Sequence, residues 1–175
     1  ILSGLVGSEM CIRDSYMFNK DNMLMFMARY TRDGMTLNGS KQLGYAANSS
    51  NNLNQVMMMA MYTFQQTYNL SFMWQDTWGS TDLCLYNGGC ASYKQGVQAI
   101  SGSANGSPNT NAFMAAVDYV PFGKGNFLTD PYFNLRLSLQ YWAYTTFNGS
   151  ENNYDANGRS AAANNTMYFV TNINF

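Results

Sequence analysis

The chain has 175 residues, a formal net charge of -1 and no histidine; charged residues make up 11% and aromatics 15%, against about 25% charged in an ordinary soluble domain. Without histidine, a Ser-His-Asp triad, a Cys-His dyad, His-ligated zinc and C-x-x-C-H haem attachment are impossible within the chain, and the near-zero charge offers no footprint for a nucleic-acid partner. The longest unbroken apolar run, residues 56–62, falls far short of the roughly 18 residues of a spanning helix, whereas few charges and many Tyr, Phe, Asn and Gly suit a transmembrane β-barrel.

The chain opens "ILSGLVGSEMCIRDS". As an export signal this is poor: Ser3 and Gly4 break the apolar stretch, no Lys or Arg precedes it, and Glu9 follows. Residues 6–15, VGSEMCIRDS, resemble the conceptual translation of a short-read sequencing adapter found at the ends of metagenomic reading frames. Residues 1–15 are therefore expected to be an adapter artefact joined to a truncated gene, loosely attached to the fold, with residues 16–175 forming one β-barrel portion.

Six segments alternate with period two, the signature of a strand with two unlike faces. In "NMLMFMARYT", Leu24, Phe26, Ala28 and Tyr30 oppose Met25, Met27, Arg29 and Thr31. In "NLNQVMMMAMYTF", Val56, Met58, Ala60, Tyr62 and Phe64 are assigned to lipid and Gln55, Met57, Met59, Met61 and Thr63 to the lumen. "YNLSFMWQ" sets Tyr68, Leu70, Phe72 and Trp74 against Asn69, Ser71, Met73 and Gln75, and "NAFMAAVDYV" sets Phe113, Ala115, Val117 and Tyr119 against Met114, Ala116 and Asp118. "FNLRLSLQYWAY" is the clearest: Phe133, Leu135, Leu137, Leu139, Tyr141 and Ala143 on one face, Asn134, Arg136, Ser138, Gln140, Trp142 and Tyr144 on the other. "TMYFVTNINF" closes the chain with Met167, Phe169, Thr171, Ile173 and Phe175 on the lipid side. The expected fold is all-β: an antiparallel transmembrane β-barrel fragment of about six strands, forming an open curved sheet.

The connections alternate in length. A short turn at "FQQTY" and a middle-length one at "PFGKGNFLTDPY" contrast with long stretches at about residues 37–52, 79–109 and 147–164, rich in Asn, Gly, Ser and Ala. Short periplasmic turns and long extracellular loops are the outer-membrane pattern; "FNKDN", residues 18–22, would be a further periplasmic turn after a lost strand. Cys84 and Cys90, in "CLYNGGC", form either a small loop disulfide or two free thiols. "NNYDANG" mimics the start of a calcium loop, but position 12 would be Asn164, which lacks the bidentate carboxylate, so an ordinary polar loop is expected. The strand charges Arg29, Asp118 and Arg136 fall on the lumen face, where they either line a pore or pack the interior; with Met57, Met59 and Gln140 they make up the expected lumen lining. Thioether ligation of copper by the methionines is conceivable, but a Met-rich composition without that role is the simpler reading.

From about residue 19 onward the chain resembles a family of proteobacterial outer-membrane proteins, through "SSNNLN", "TYNLSF", "TWGSTD", "GSPNTNAF", "DYVPFGK", "NLRLSLQY" and "FNGSENNYDANGRSAAANNT", in one order. Members are labelled porin-like or cytochrome c; nothing in this chain supports a haem, and no cofactor is expected. The resemblance implies the bacterial outer membrane, surrounding lipid and the barrel-assembly machinery as partners, with Phe169, Ile173 and Phe175 as an assembly signal. The expected function is a non-enzymatic pore for passive diffusion of small polar solutes. The alternative is a barrel that scaffolds a surface electron-transfer or adhesion complex.

Overall fold

The computed structural model describes residues 5–87, 102–122 and 134–174. Its strands are β1 (Leu5–Asn19), β2 (Asn22–Thr36), β3 (Ser50–Phe64), β4 (Tyr68–Gly79), β5 (Thr110–Tyr119), β6 (Asn134–Thr146) and β7 (Thr166–Asn174). They form one antiparallel sheet in chain order, with β1 and β7 as its two edges. All six period-two segments are strands, as the hydrophobic alternation requires.

Among the described residues there are seven strands where about six were expected. The added one, β1, includes most of the adapter-like stretch. Far from hanging loosely, it pairs with β2 in continuous register from Leu5↔Met35 to Met17↔Met23. Main-chain hydrogen bonds carry edge pairing, so a segment can extend a sheet with little demand on its side chains. β1 also occupies the place before residues 18–22 where a lost strand was expected. Its face pattern is imperfect: Asp14 sits opposite Phe26, in the middle of the largely apolar face.

One face of the sheet is consistently more enclosed. Met57, Met73, Ala112, Ala116 and Ser138 are buried, while their strand neighbours Met58, Phe72, Phe113, Val117 and Leu139 are about half exposed. Among the described residues no second layer covers either face, and strands pack chiefly against their sheet neighbours, with β6 also meeting one short 3-10 turn. A single sheet encloses one face by curling towards it; that face is termed inner below.

At one end of the sheet two connections are tight, and most of the third, between β5 and β6, lies outside the described residues. Lys20 and Asp21 turn β1 into β2, with Asn19 Oδ1 accepting from Asp21 N at 2.9 Å. Gln65 and Gln66, between β3 and β4, both take positive φ (51° and 54°), a conformation that costs a non-glycine residue about 1–2 kcal/mol. The neighbouring hairpin holds them there: Gln65 N donates to Asn22 Oδ1 at 3.0 Å and Gln66 Nε2 to Lys20 O at 2.7 Å.

At the other end, the three long connections join into a single polar cap. They carry α1 (Asn38–Gln42), α2 (Leu83–Asn87) and a 3-10 turn (Ala161–Asn164). Asp82 links the first two: it is 2% exposed and accepts from Ala47 N, Asn48 N, Asn51 Nδ2, Cys84 N and Leu85 N at 2.9–3.1 Å. The last two of those donors belong to the first turn of α2, which makes Asp82 its N-cap. The second and third connections meet where Ser103 Oγ donates to Asn148 O at 2.7 Å and Ala104 N to Tyr154 O at 2.7 Å. Gly149 there has φ +87°, and a Cβ would stand 2.5 Å from Ser107 Cβ, so only glycine fits.

Candidate functional site

Pairing places the inner-face side chains in rows across the strands. Towards the cap, one row in from Asp33, Leu53 and Gly79, is a polar row, Thr31, Gln55, Thr77 and Thr110. Next come Arg29, Met57, Gln75 and Ala112, then Met27, Met59, Met73, Met114 and Trp142. Met25, Met61, Ser71, Ala116 and Gln140 follow, and at the tight-turn end stand Thr63, Asn69, Asp118 and Ser138. The wall is therefore polar at both ends and thioether-rich in the middle. Its middle also holds a recess of ≈ 440 Å³ between Gln75, Gln140, Trp142, Tyr144, Tyr168 and Val170.

The expected lumen residues all lie on this one face, but not in one cluster. Arg29 reaches Gln55 Oε1 at 3.3 Å and Glu9 Oε1 at 3.8 Å, and its Nε is buried without a hydrogen-bond partner among the described residues. Asp118 and Arg136 form an ion pair at 2.6 Å, with the carboxylate fully buried and the guanidinium half exposed. Asp118 Oδ1 has no hydrogen-bond partner among the described residues. Six residues of strand, about 20 Å at a strand rise near 3.3 Å, separate the levels of Arg29 and Asp118, so they are two independent features. Gln140 donates to Ser138 Oγ at 3.2 Å, between the methionines and the Asp118 pair. Met57 and Met59 belong to the thioether zone.

The outer face is largely apolar between two aromatic rims, with two carboxylates on it: Asp76 of β4, two residues inside Trp78 and accepting from Asn111 Nδ2 at 3.1 Å, and Asp14 of the edge strand β1. Towards the tight turns, Tyr68 and Tyr119 stack with centroids 5.3 Å apart; towards the cap, Tyr30 and Trp78 stand at 6.5 Å. Between them lies an apolar trough of ≈ 560 Å³, whose lining includes Phe26, Met58, Phe72, Trp74, Phe113 and Tyr141. Phe169 and Ile173 continue this face on the edge strand β7, 71% and 53% exposed. Phe175 lies outside the described residues.

In the cap, Cys84 is buried and disulfide-bonded; Cys90, the other half of the expected pair, lies outside the described residues. Burial works to raise the Asp82 carboxyl, but the N–H groups of Ala47, Leu85 and Asn48 and the Asn51 amide outweigh it and leave Asp82 below its ordinary 3.8. In "NNYDANG", Asp155 is taken up by Arg159, whose Nε donates at 2.6 Å. That hydrogen bond outweighs the opposing effect of burial and, with help from the N–H groups of Asn157 and Arg159, lowers Asp155 to about 2. The loop is a self-contained polar turn.

Sequence reasoning missed two features. The thioether row depends on register between four strands, which no single segment reveals. The role of Asp82 did leave a signal, an Asp directly before a short apolar "LCLY" run, which is an N-cap pattern. No family model, curated protein or solved structure matches the chain.

Proposed function

We propose that this chain is the C-terminal portion of a bacterial outer-membrane β-barrel that acts as a passive pore for small polar solutes. The observation that carries this reading is the outer face of β4. Tyr68 and Trp78 lie ten residues apart on it, about 33 Å along a strand rising 3.3 Å per residue, with Asp76, hydrogen-bonded to Asn111, next to the cap-side rim. At a barrel tilt of about 40° that span projects to about 25 Å, the height of an outer-membrane apolar band between its aromatic girdles. The half-exposed Phe72, Phe113, Val117 and Leu139 then face lipid, and a trough lined by aromatics suits acyl chains.

Seven strands with two free edges fall below the minimum of eight for a single-chain barrel, so further strands would complete the closure. In the mechanism no bond is made or broken. Solutes enter past the joined cap, pass a wall that is polar at each end, and meet thioethers in the middle. Thioether sulfur is only a weak acceptor, so a hydrated solute finds no strong partner to hold it there. β7 supplies the free edge and apolar face that an assembly machine would grip.

Liposome swelling with the complete barrel tests the pore. Small sugars should enter faster than into protein-free vesicles, with rates falling as solute size rises. Swelling no faster than in protein-free vesicles contradicts the reading.

A further inference from the structure

The thioether zone is more than an apolar lining. Met27, Met59, Met73 and Met114 occupy one register row on four adjacent strands, and Met57 and Met61 flank Met59 on its own strand. Side chains directly opposite in a sheet have Cβ atoms about 5 Å apart. Methionine adds three rotatable bonds, enough for sulfurs from three neighbours to converge on one ion. Met73 is enclosed at 9% exposure and Met57 beside the row at 7%, while Met27 and Met59 are partly exposed, so an ion could reach the row from the inner face.

The donor set selects the ion. Thioethers are soft ligands that favour Cu(I) and similar ions over hard or borderline ones. The competing chemistry is missing: the chain has no histidine, and among the described residues no group of His, Cys, Asp or Glu could hold a metal. Zn²⁺ or Ca²⁺ would find no oxygen, nitrogen or thiolate cage at this row. Two cations stand near: Arg13, on the exposed edge strand β1, pairs with Met27 in the same row, two strands from Met59, and Arg29 stands one row nearer the cap, turned to Glu9 and Gln55.

We infer that the inner-face methionines centred on Met59, with Met27 and Met73 beside it, form a binding site for a soft monovalent metal ion, Cu(I) or Ag(I). No electron transfer is involved; the ion binds as the monovalent species. The site goes beyond the pore reading, because thioether ligation depends on the row and not on whether solutes cross a membrane.

Ag(I) nitrate in chloride-free buffer is the probe, since it needs no reductant. It is titrated into the full chain in detergent, with Cys11 alkylated beforehand because that thiol is free and exposed. Equilibrium dialysis with metal analysis gives the affinity. The triple substitution Met27→Leu, Met59→Leu, Met73→Leu keeps apolar volume nearly constant and removes the sulfurs. It should weaken Ag(I) binding at least as much as the about 10- to 100-fold that loss of an outer-shell partner costs a metal site. The outer-face control Met10→Leu, Met58→Leu, Met167→Leu should leave the affinity unchanged. Should the inner triple lose its β-sheet circular dichroism, the unmutated chain labelled with methyl-¹³C methionine decides: Ag(I) should move the methyl signals of the inner row and leave Met10, Met58 and Met167 in place. Equal loss in both triples, unchanged binding in the inner triple, or shifts spread evenly over all methionines would overturn the inference.

Discussion

Phe72→Arg is the substitution that separates a lipid-facing sheet from a soluble one. Phe72 is 56% exposed on the outer face of β4, four residues from the Tyr68 rim and six from the Trp78 rim, hence about 13 Å and 20 Å along the strand. If that face meets lipid, the guanidinium sits near the midplane and should cost about 2–4 kcal/mol. If it meets water, a change at a half-exposed position should stay within about 0.5 kcal/mol. Leu137→Arg is a depth control: Leu137 pairs with Tyr119, itself level with Tyr68, so it lies at the rim and should cost about 0–1 kcal/mol. Gln140→Arg, on the inner face, should cost little. The assay is a urea titration of the complete barrel folding into lipid vesicles. A Phe72→Arg penalty no larger than that of Gln140→Arg would refute the assignment of faces.

Three further outcomes follow from the same geometry. Asp82 has a lowered pKa, so the stability it gives the cap is fully present above its unfolded value of 3.8 and is lost as pH falls through the lower folded value; amide exchange in residues 37–49 and 80–87 should accelerate on acidification below about pH 4, and Asp82→Asn should remove that pH dependence. Arg136→Ala should destabilise the sheet by about 2 kcal/mol or more, because it strands the fully buried Asp118 carboxylate, whereas the double change with Asp118→Asn should recover part of the loss in the same vesicle titration. Deleting Phe175 from the complete protein should abolish assembly in cells while leaving refolding into detergent intact; equal loss in both would reduce Phe175 to a girdle residue, and normal assembly would remove its recognition role.

The legibility of this fold was uneven for physical reasons. Alternation such as Leu135 to Leu139 against Arg136 to Gln140 exposes a strand because its two faces meet different surroundings, and every segment read that way is a strand. β1 escaped because the adapter-like residues were set apart, while edge pairing rests on backbone that any sequence carries. The short helices Asn38–Gln42 and Leu83–Asn87 span little more than one turn, too few for a helical period to show. Face assignments for Arg29, Asp118 and Arg136 followed from parity alone. Their separation into two sites, and the meeting of Met27, Met59, Met73 and Met114 in one row, needed the register between strands, which is set by turns such as the one at Gln65 and Gln66 and not by any one segment.

The three tryptophans offer the most direct test of the central claim. Trp74 lies mid-band on the outer face, Trp78 at its cap-side rim, and Trp142 on the inner face opposite Met114. Single-tryptophan variants of the complete barrel, with the other two replaced by Phe, can be folded into vesicles whose lipids carry bromine deep in the acyl chain. Trp74 fluorescence should be strongly quenched, Trp78 weakly and Trp142 hardly at all. Equal quenching of Trp74 and Trp142, or none of either, would contradict a sheet that turns one face to lipid and encloses the other.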